Sequence, residues 1–173
     1  LTPRTSTQLL VVNTPFPPDD RSDGYIRGTS VSPEWDEATT FAAIEVVDKL
    51  WPMLRRIVPG KDLEERSERL KQFCFTFATR AFRRPLSEHE RNVYVDGQFE
   101  TAETAEDAVR RCILAVLKSP RFLYREIRGE NDSYTRASRL SFALVDSLPN
   151  ADLLQAAEKG KLDSDKGVRE QAI

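Results

Sequence analysis

The most polar constellation in the sequence is Phe16-Pro17-Pro18-Asp19-Asp20-Arg21-Ser22-Asp23-Gly24-Tyr25. Asp19, Asp20 and Asp23 set three carboxylates on a proline-stiffened turn, and a hard cation such as calcium takes oxygen ligands of this kind. A calcium-binding EF-hand loop begun at Asp19 would need an oxygen ligand where Arg21 stands and a glutamate where Ser30 stands. The expected role of these aspartates is therefore local, capping backbone N–H groups and pairing with Arg21 or Arg27. They are kept as candidate metal ligands, and as a candidate acid and base pair of the glycosidase type, which needs two carboxylates facing each other across a cleft.

The other reactive residue types are sparse. His89 is the single histidine, so a zinc site built on converging histidines has no second member. It falls in the first turn of a predicted helix and reads as a solvated residue. Cys74 and Cys112 lie on apolar faces of separate predicted helices, with no Cys-x-x-Cys anywhere. They read as two small core residues or as a disulfide between helices, which requires an oxidising compartment and Cα atoms within about 7 Å. Arg80, Arg83 and Arg84 flank Phe82 just before Pro85, a cluster suited to an anion or to ion pairs. Glu88 and Glu90 follow within a turn, which favours ion pairs. Glycine-rich phosphate loops and the nucleophile elbow are absent from the sequence.

Positioning these residues falls to helices. Hydrophobic residues make up 39% and charged residues 31%, with few stretches that alternate apolar and polar. Seven glycines are too few for the tight turns of a sandwich or barrel. The net charge of −2 gives no support to nucleic-acid binding. Arginines outnumber lysines 19 to seven, a bias that fits bidentate ion pairs on packed helix surfaces. No apolar run reaches the roughly 20 residues of a membrane helix.

Residues 13–32, with Pro15, Pro17, Pro18, Gly24 and Gly28, form one long irregular loop. Ser32-Pro33 then starts a long amphipathic helix with Trp35, Phe41, Ile44, Val47, Trp51, Leu54 and Val58 facing inward, kinked or split at Pro52. Asp62 to Glu65 and Ser87 to Glu90 read as capping boxes opening the next two helices. The first of these ends at Arg84-Pro85, and Gly97 is expected to end the second. Thr104 opens another helix carrying Cys112, Ser119-Pro120 opens a short one, residues 135–148 are helical, and after Pro149-Asn150 the residues Leu153, Leu154 and Ala157 carry a last short helix to Gly160. Trp35, Trp51, Phe73, Phe77, Phe82, Ile113 and Phe122 are the expected core.

Two stretches carry a resemblance. Phe77-Ala78-Thr79-Arg80-Ala81-Phe82-Arg83-Arg84-Pro85-Leu86-Ser87 and Leu117-Lys118-Ser119-Pro120-Arg121-Phe122-Leu123-Tyr124-Arg125 resemble the central domains of a planctomycetal multidomain cytochrome-c-type family. Ser138-Arg139-Leu140-Ser141-Phe142-Ala143-Leu144 and Leu148-Pro149-Asn150-Ala151-Asp152-Leu153-Leu154 continue it, with Leu148 and Asn150 where the family has Met and Asp. The resemblance implies a large exported parent, in the periplasm or cell envelope, often with a haem c segment and carbohydrate-binding modules. The sequence holds no Cys-x-x-Cys-His, so no haem ligand transfers to it.

The resulting expectation is an all-α, compact multihelix assembly of about eight helices. Residues 1–60 hold the loop and long helix, 61–128 a central helical domain, and 129–173 the start of a further helical domain. The ends read as boundaries inside a larger protein, since Leu1 is no initiator and 168–173 look like a helix cut short. The expected function is a non-catalytic scaffold or interaction region, its partners the parent's other domains. The alternative is part of the body of a haem-linked oxidoreductase acting on or near polysaccharide, with haem c elsewhere in the parent. The chain by itself is not expected to be an enzyme.

Overall fold

The computed structural model describes residues 10–18, 32–58, 62–124 and 132–172. Every regular element in them is helical: α1 (Pro33–Ile57), α2 (Leu63–Phe82), α3 (Glu88–Arg91), a π-helical stretch (Asn92–Asp96), α4 (Gly97–Thr101), α5 (Ala105–Lys118), α6 (Pro120–Leu123), α7 (Ser133–Val145), α8 (Ala151–Glu158) and α9 (Asp165–Gln171). The stretch from α3 to α4 is one continuous helix, 88–101, which leaves eight helices among the described residues. The expected all-α class is correct.

Side-chain caps set the helix starts. The first N–H groups of a helix lack intrahelical partners, and a Ser, Thr, Asp or Asn oxygen supplies one. Ser32, Asp62, Thr104, Ser119, Asp132, Asn150 and Ser164 each accept from a backbone N–H two or three residues on. At Ser87 the capping box is complete, the Glu90 side chain returning to the Ser87 N–H at 2.8 Å.

Helix α1 is not split at Pro52. One sequence expectation about a helix end is corrected. Gly97 does not end its helix, because the π turn carries the chain on to Thr101. A Cβ at Gly97 would stand 2.9 Å from the Asn92 carbonyl oxygen, so the wide turn needs the bare glycine.

The chain divides into two compact units, Leu1–Pro59 and Gly60–Ile173. In the first, α1 buries Thr39, Ala43, Val47, Leu50, Leu54 and Val58 at steps of three or four, while Phe41 and Ile44 remain exposed. Val47, Leu54 and Val58 are buried as expected, and Thr39, Ala43 and Leu50 join them in place of Phe41 and Ile44. The irregular segment 10–18 is tied to α1 through Glu45, which accepts from the N–H groups of Asn13 and Thr14, both at 2.8 Å. The Thr14 hydroxyl adds a bond at 2.6 Å, and Lys49 bridges Glu45 and the Val11 carbonyl.

In the second unit α2 packs more extensively on α5 than any other two helices pack. Leu70, Cys74, Ala78, Ala81 and Phe82 of α2 meet Ala108, Val109, Cys112, Ile113 and Val116 of α5, with Val95 from the π stretch. Of the expected core only Phe82 and Ile113 are buried; Trp35, Trp51, Phe73, Phe77 and Phe122 are half-buried. Alanine and cysteine take several of the inward positions on both helices, and Phe82 at the end of α2 is buried with them. Phe73 and Phe77 stay half-buried and stack at 6.3 Å, and Phe82 meets Tyr94 edge-on at 4.9 Å. A separate core joins α7, α8 and the turn after it through Ala137, Ala157 and Leu162, with Tyr134, Leu140, Leu153 and Val168 packed around them.

Candidate functional site

The expected arginine cluster sits where α2 ends. Arg83 caps α2 in the left-handed conformation (φ 61°), which brings its side chain back toward α6. A non-glycine residue there is strained. Arg83 is 6% exposed, and its guanidinium donates to the carbonyls of Ala81 (3.1 Å), Arg121 (2.7 Å), Tyr124 (3.2 Å) and Phe122 (3.4 Å). The last three belong to the C-terminal turn of α6, where helix carbonyls have no intrahelical donor and the dipole favours a cation. Arg83 thus serves as a cap shared between two helix ends.

Glu90 forms the second half of this site. It is buried at the third position of α3, and its carboxylate meets Arg84 at 2.9 Å and Arg121 at 2.6 Å. Burial acts most strongly on this carboxyl and opposes its charge. The Ser87 hydrogen bonds and the charges of Arg84 and Arg121 together outweigh burial and hold it below the usual range. Ser119, the cap of α6, also shares a 2.9 Å hydrogen bond with the Tyr94 hydroxyl. Arg80, the remaining member of the expected cluster, is exposed on α2 and stands outside the network. Arg121 was not singled out in the sequence, although the Ser-Pro-Arg at the start of α6 marks the turn that carries it.

The other candidates are dispersed. His89 is exposed in the first turn of α3. Cys74 and Cys112 face each other across the α2–α5 seam, both fully buried. Asp19, Asp20 and Asp23 lie outside the described residues. Among the described residues, no group of three or more His, Cys, Asp or Glu could hold a metal ion. Sequence reasoning also missed the Glu45 clamp. The i,i+4 spacing of Glu45 and Lys49 is a visible helix pair, but its reach to residues 11–14 is not encoded in spacing. Lys49, Thr14 and the Asn13 N–H, in that order, lower the Glu45 pKa to about 2. Beside this clamp, Thr14, Pro15, Phe16, Pro17, Glu34, Glu37, Ala38 and Phe41 line an open groove of about 420 Å3.

Comparison with known families supplies the remaining observation. Residues 69–126 match PSD5, a protein of unknown function (DUF1595), and residues 132–173 match PSD4, a protein of unknown function (DUF1592). The chain carries both of these domains, which are typical of the planctomycetal multidomain cytochrome-c-type family. No curated protein matches the chain, and no solved structure does. The PSD5 segment contains the whole Arg83, Arg84, Glu90 and Arg121 network and both cysteines. The PSD4 segment contains α7 to α9. A covalent haem c does not fit these residues, since the two cysteines are buried against each other and His89 is exposed on another helix.

Proposed function

We propose that this chain acts as a non-catalytic helical scaffold or interaction region inside a large exported protein of the periplasm or cell envelope. Its partners are the other domains of the same parent, and haem c is held in a different part of that parent. Residues 1–60, 61–128 and 129–173 act as successive structural segments. The observation that carries this reading is the fate of the buried and half-buried charges. Arg83, Arg84, Glu90 and Arg121 are engaged with backbone carbonyls or with one another. Groups held this way stabilise helix ends and leave little capacity for a substrate.

The test compares the chain with its full-length parent, each produced in a haem-maturing host and purified. The parent is expected to show a Soret band and the chain alone none. A Soret band in the isolated chain, or its absence from the parent, would overturn the assignment.

A second reading is supported by the groove beside residues 14–17. The half-exposed rings of Phe16 and Phe41 lie with the carboxylates of Glu34 and Glu37, a pairing of flat apolar faces and hydrogen-bond acceptors suited to a sugar chain. On this reading the chain supplies a polysaccharide-facing surface to a haem-linked oxidoreductase. Titration calorimetry with soluble oligosaccharides is then expected to give heat that Phe41→Ala removes, and no heat would dismiss it.

A further inference from the structure

Cys74 and Cys112 occupy facing positions at the centre of the α2–α5 seam. Leu70 and Ala78 lie one turn either side of Cys74 on α2, and Ala108 and Val116 one turn either side of Cys112 on α5. All six are fully buried. The structure holds both as free thiols, with Cys112 the neighbour that acts most strongly on the Cys74 thiol. Disulfide formation requires such close approach of two side chains carried on rigid elements.

We propose that Cys74 and Cys112 form a structural disulfide that locks α2 to α5 as the exported protein folds. The oxidising compartment rests on the export reading above, whereas the pairing itself rests only on the packing. Two S–H bonds break and one S–S bond forms. The two electrons and two protons pass to an incoming disulfide, either oxidised glutathione or a disulfide-bearing oxidase, which leaves as two thiols. The hydrogen bond to Cys112, and then burial, raise the pKa of Cys74 above the ordinary thiol range. A thiol so protonated and so buried does not attack an external disulfide. Oxidation therefore belongs to the folding chain, before the seam closes. The cross-link would close a loop of about 40 residues, long enough to restrict the unfolded chain substantially.

The test is refolding of the reduced chain at low concentration in mixed reduced and oxidised glutathione, then denaturation, alkylation and mass spectrometry. The expected product is a monomer lighter by two hydrogens, unalkylated, yielding a linked Cys74–Cys112 peptide. A folded monomer with both thiols alkylated would overturn the proposal, as would a product cross-linked only between molecules. The oxidised chain is also expected to melt roughly 10 °C above the same chain in reductant. Reductant should not shift the melting of the Cys74→Ala, Cys112→Ala double variant. An equal shift in that variant would contradict the assignment. Because refolding is carried out in a cuvette, the pairing can fail while the export reading stands, and the reverse.

Discussion

At the scale of single residues, the left-handed Arg83 and the buried Glu90 account for most of the polar organisation near the α2–α6 junction. Replacing Arg83 with alanine keeps the backbone strain and strands four carbonyls. Urea denaturation should show a loss of about 2–4 kcal/mol. Arg83→Gly relieves the strain while losing the same bonds, so it should cost about 1 kcal/mol less than alanine. Equal stability of both variants with the wild type would remove Arg83 from its capping role. Glu90 makes a pH prediction. Its folded pKa lies below the ordinary glutamate value of 4.5, so its stabilising contribution is complete above that pH and fades as the pH falls through the folded value. Glu90→Gln should therefore be less stable than wild type at neutral pH and converge with it in acid, as read by denaturation midpoints at successive pH values. The sequence showed that Arg83 and Arg84 had acidic neighbours. It did not show which arginine would turn inward, because that depends on a left-handed cap no residue type announces.

At the scale of elements, the sequence was most informative about where helices begin. A cap is a local bond between a side chain and a backbone N–H two or three residues away, so spacing alone reveals it. Asp62, Ser87 and Thr104 were legible for that reason. The π turn was not, because its register is a property of backbone hydrogen bonding that apolar periodicity does not record. Gly97→Ala tests it. The gain in helix propensity is about 1 kcal/mol, but the new methyl meets a carbonyl oxygen at a distance that forces the turn to shift. A net loss of about 1–3 kcal/mol is expected, and a stabilised variant would contradict the geometry. The Glu45 clamp gives a second prediction. Glu45→Ala should speed hydrogen exchange at the Asn13 and Thr14 amides while leaving the middle of α2 unchanged. Unaltered exchange at both amides would mean that Glu45 does not hold the segment.

At the scale of the whole molecule, helical class and family membership were both readable, and the core was readable in part. Cys74, Phe82, Cys112 and Ile113 are buried as expected, whereas Trp35, Trp51, Phe73, Phe77 and Phe122 are only half-buried. Hydrophobic size ranks Trp and Phe first, but several inward positions of α2 and α5 are taken by smaller side chains. Phe77→Ala should lose only about 1–2 kcal/mol, the contribution of a half-buried ring, while Ile113→Ala should lose about 2–5 kcal/mol; thermal or urea unfolding orders the two. The reverse order would restore the aromatic core. The central claim is that the charged groups best placed for chemistry serve to join helices. A double-mutant cycle on Glu90→Gln and Arg121→Gln, followed by urea unfolding, measures that joining directly. Each single change is expected to destabilise the chain, with the pair coupled by about 1–3 kcal/mol. Single variants as stable as the wild type, with no coupling between them, would contradict it.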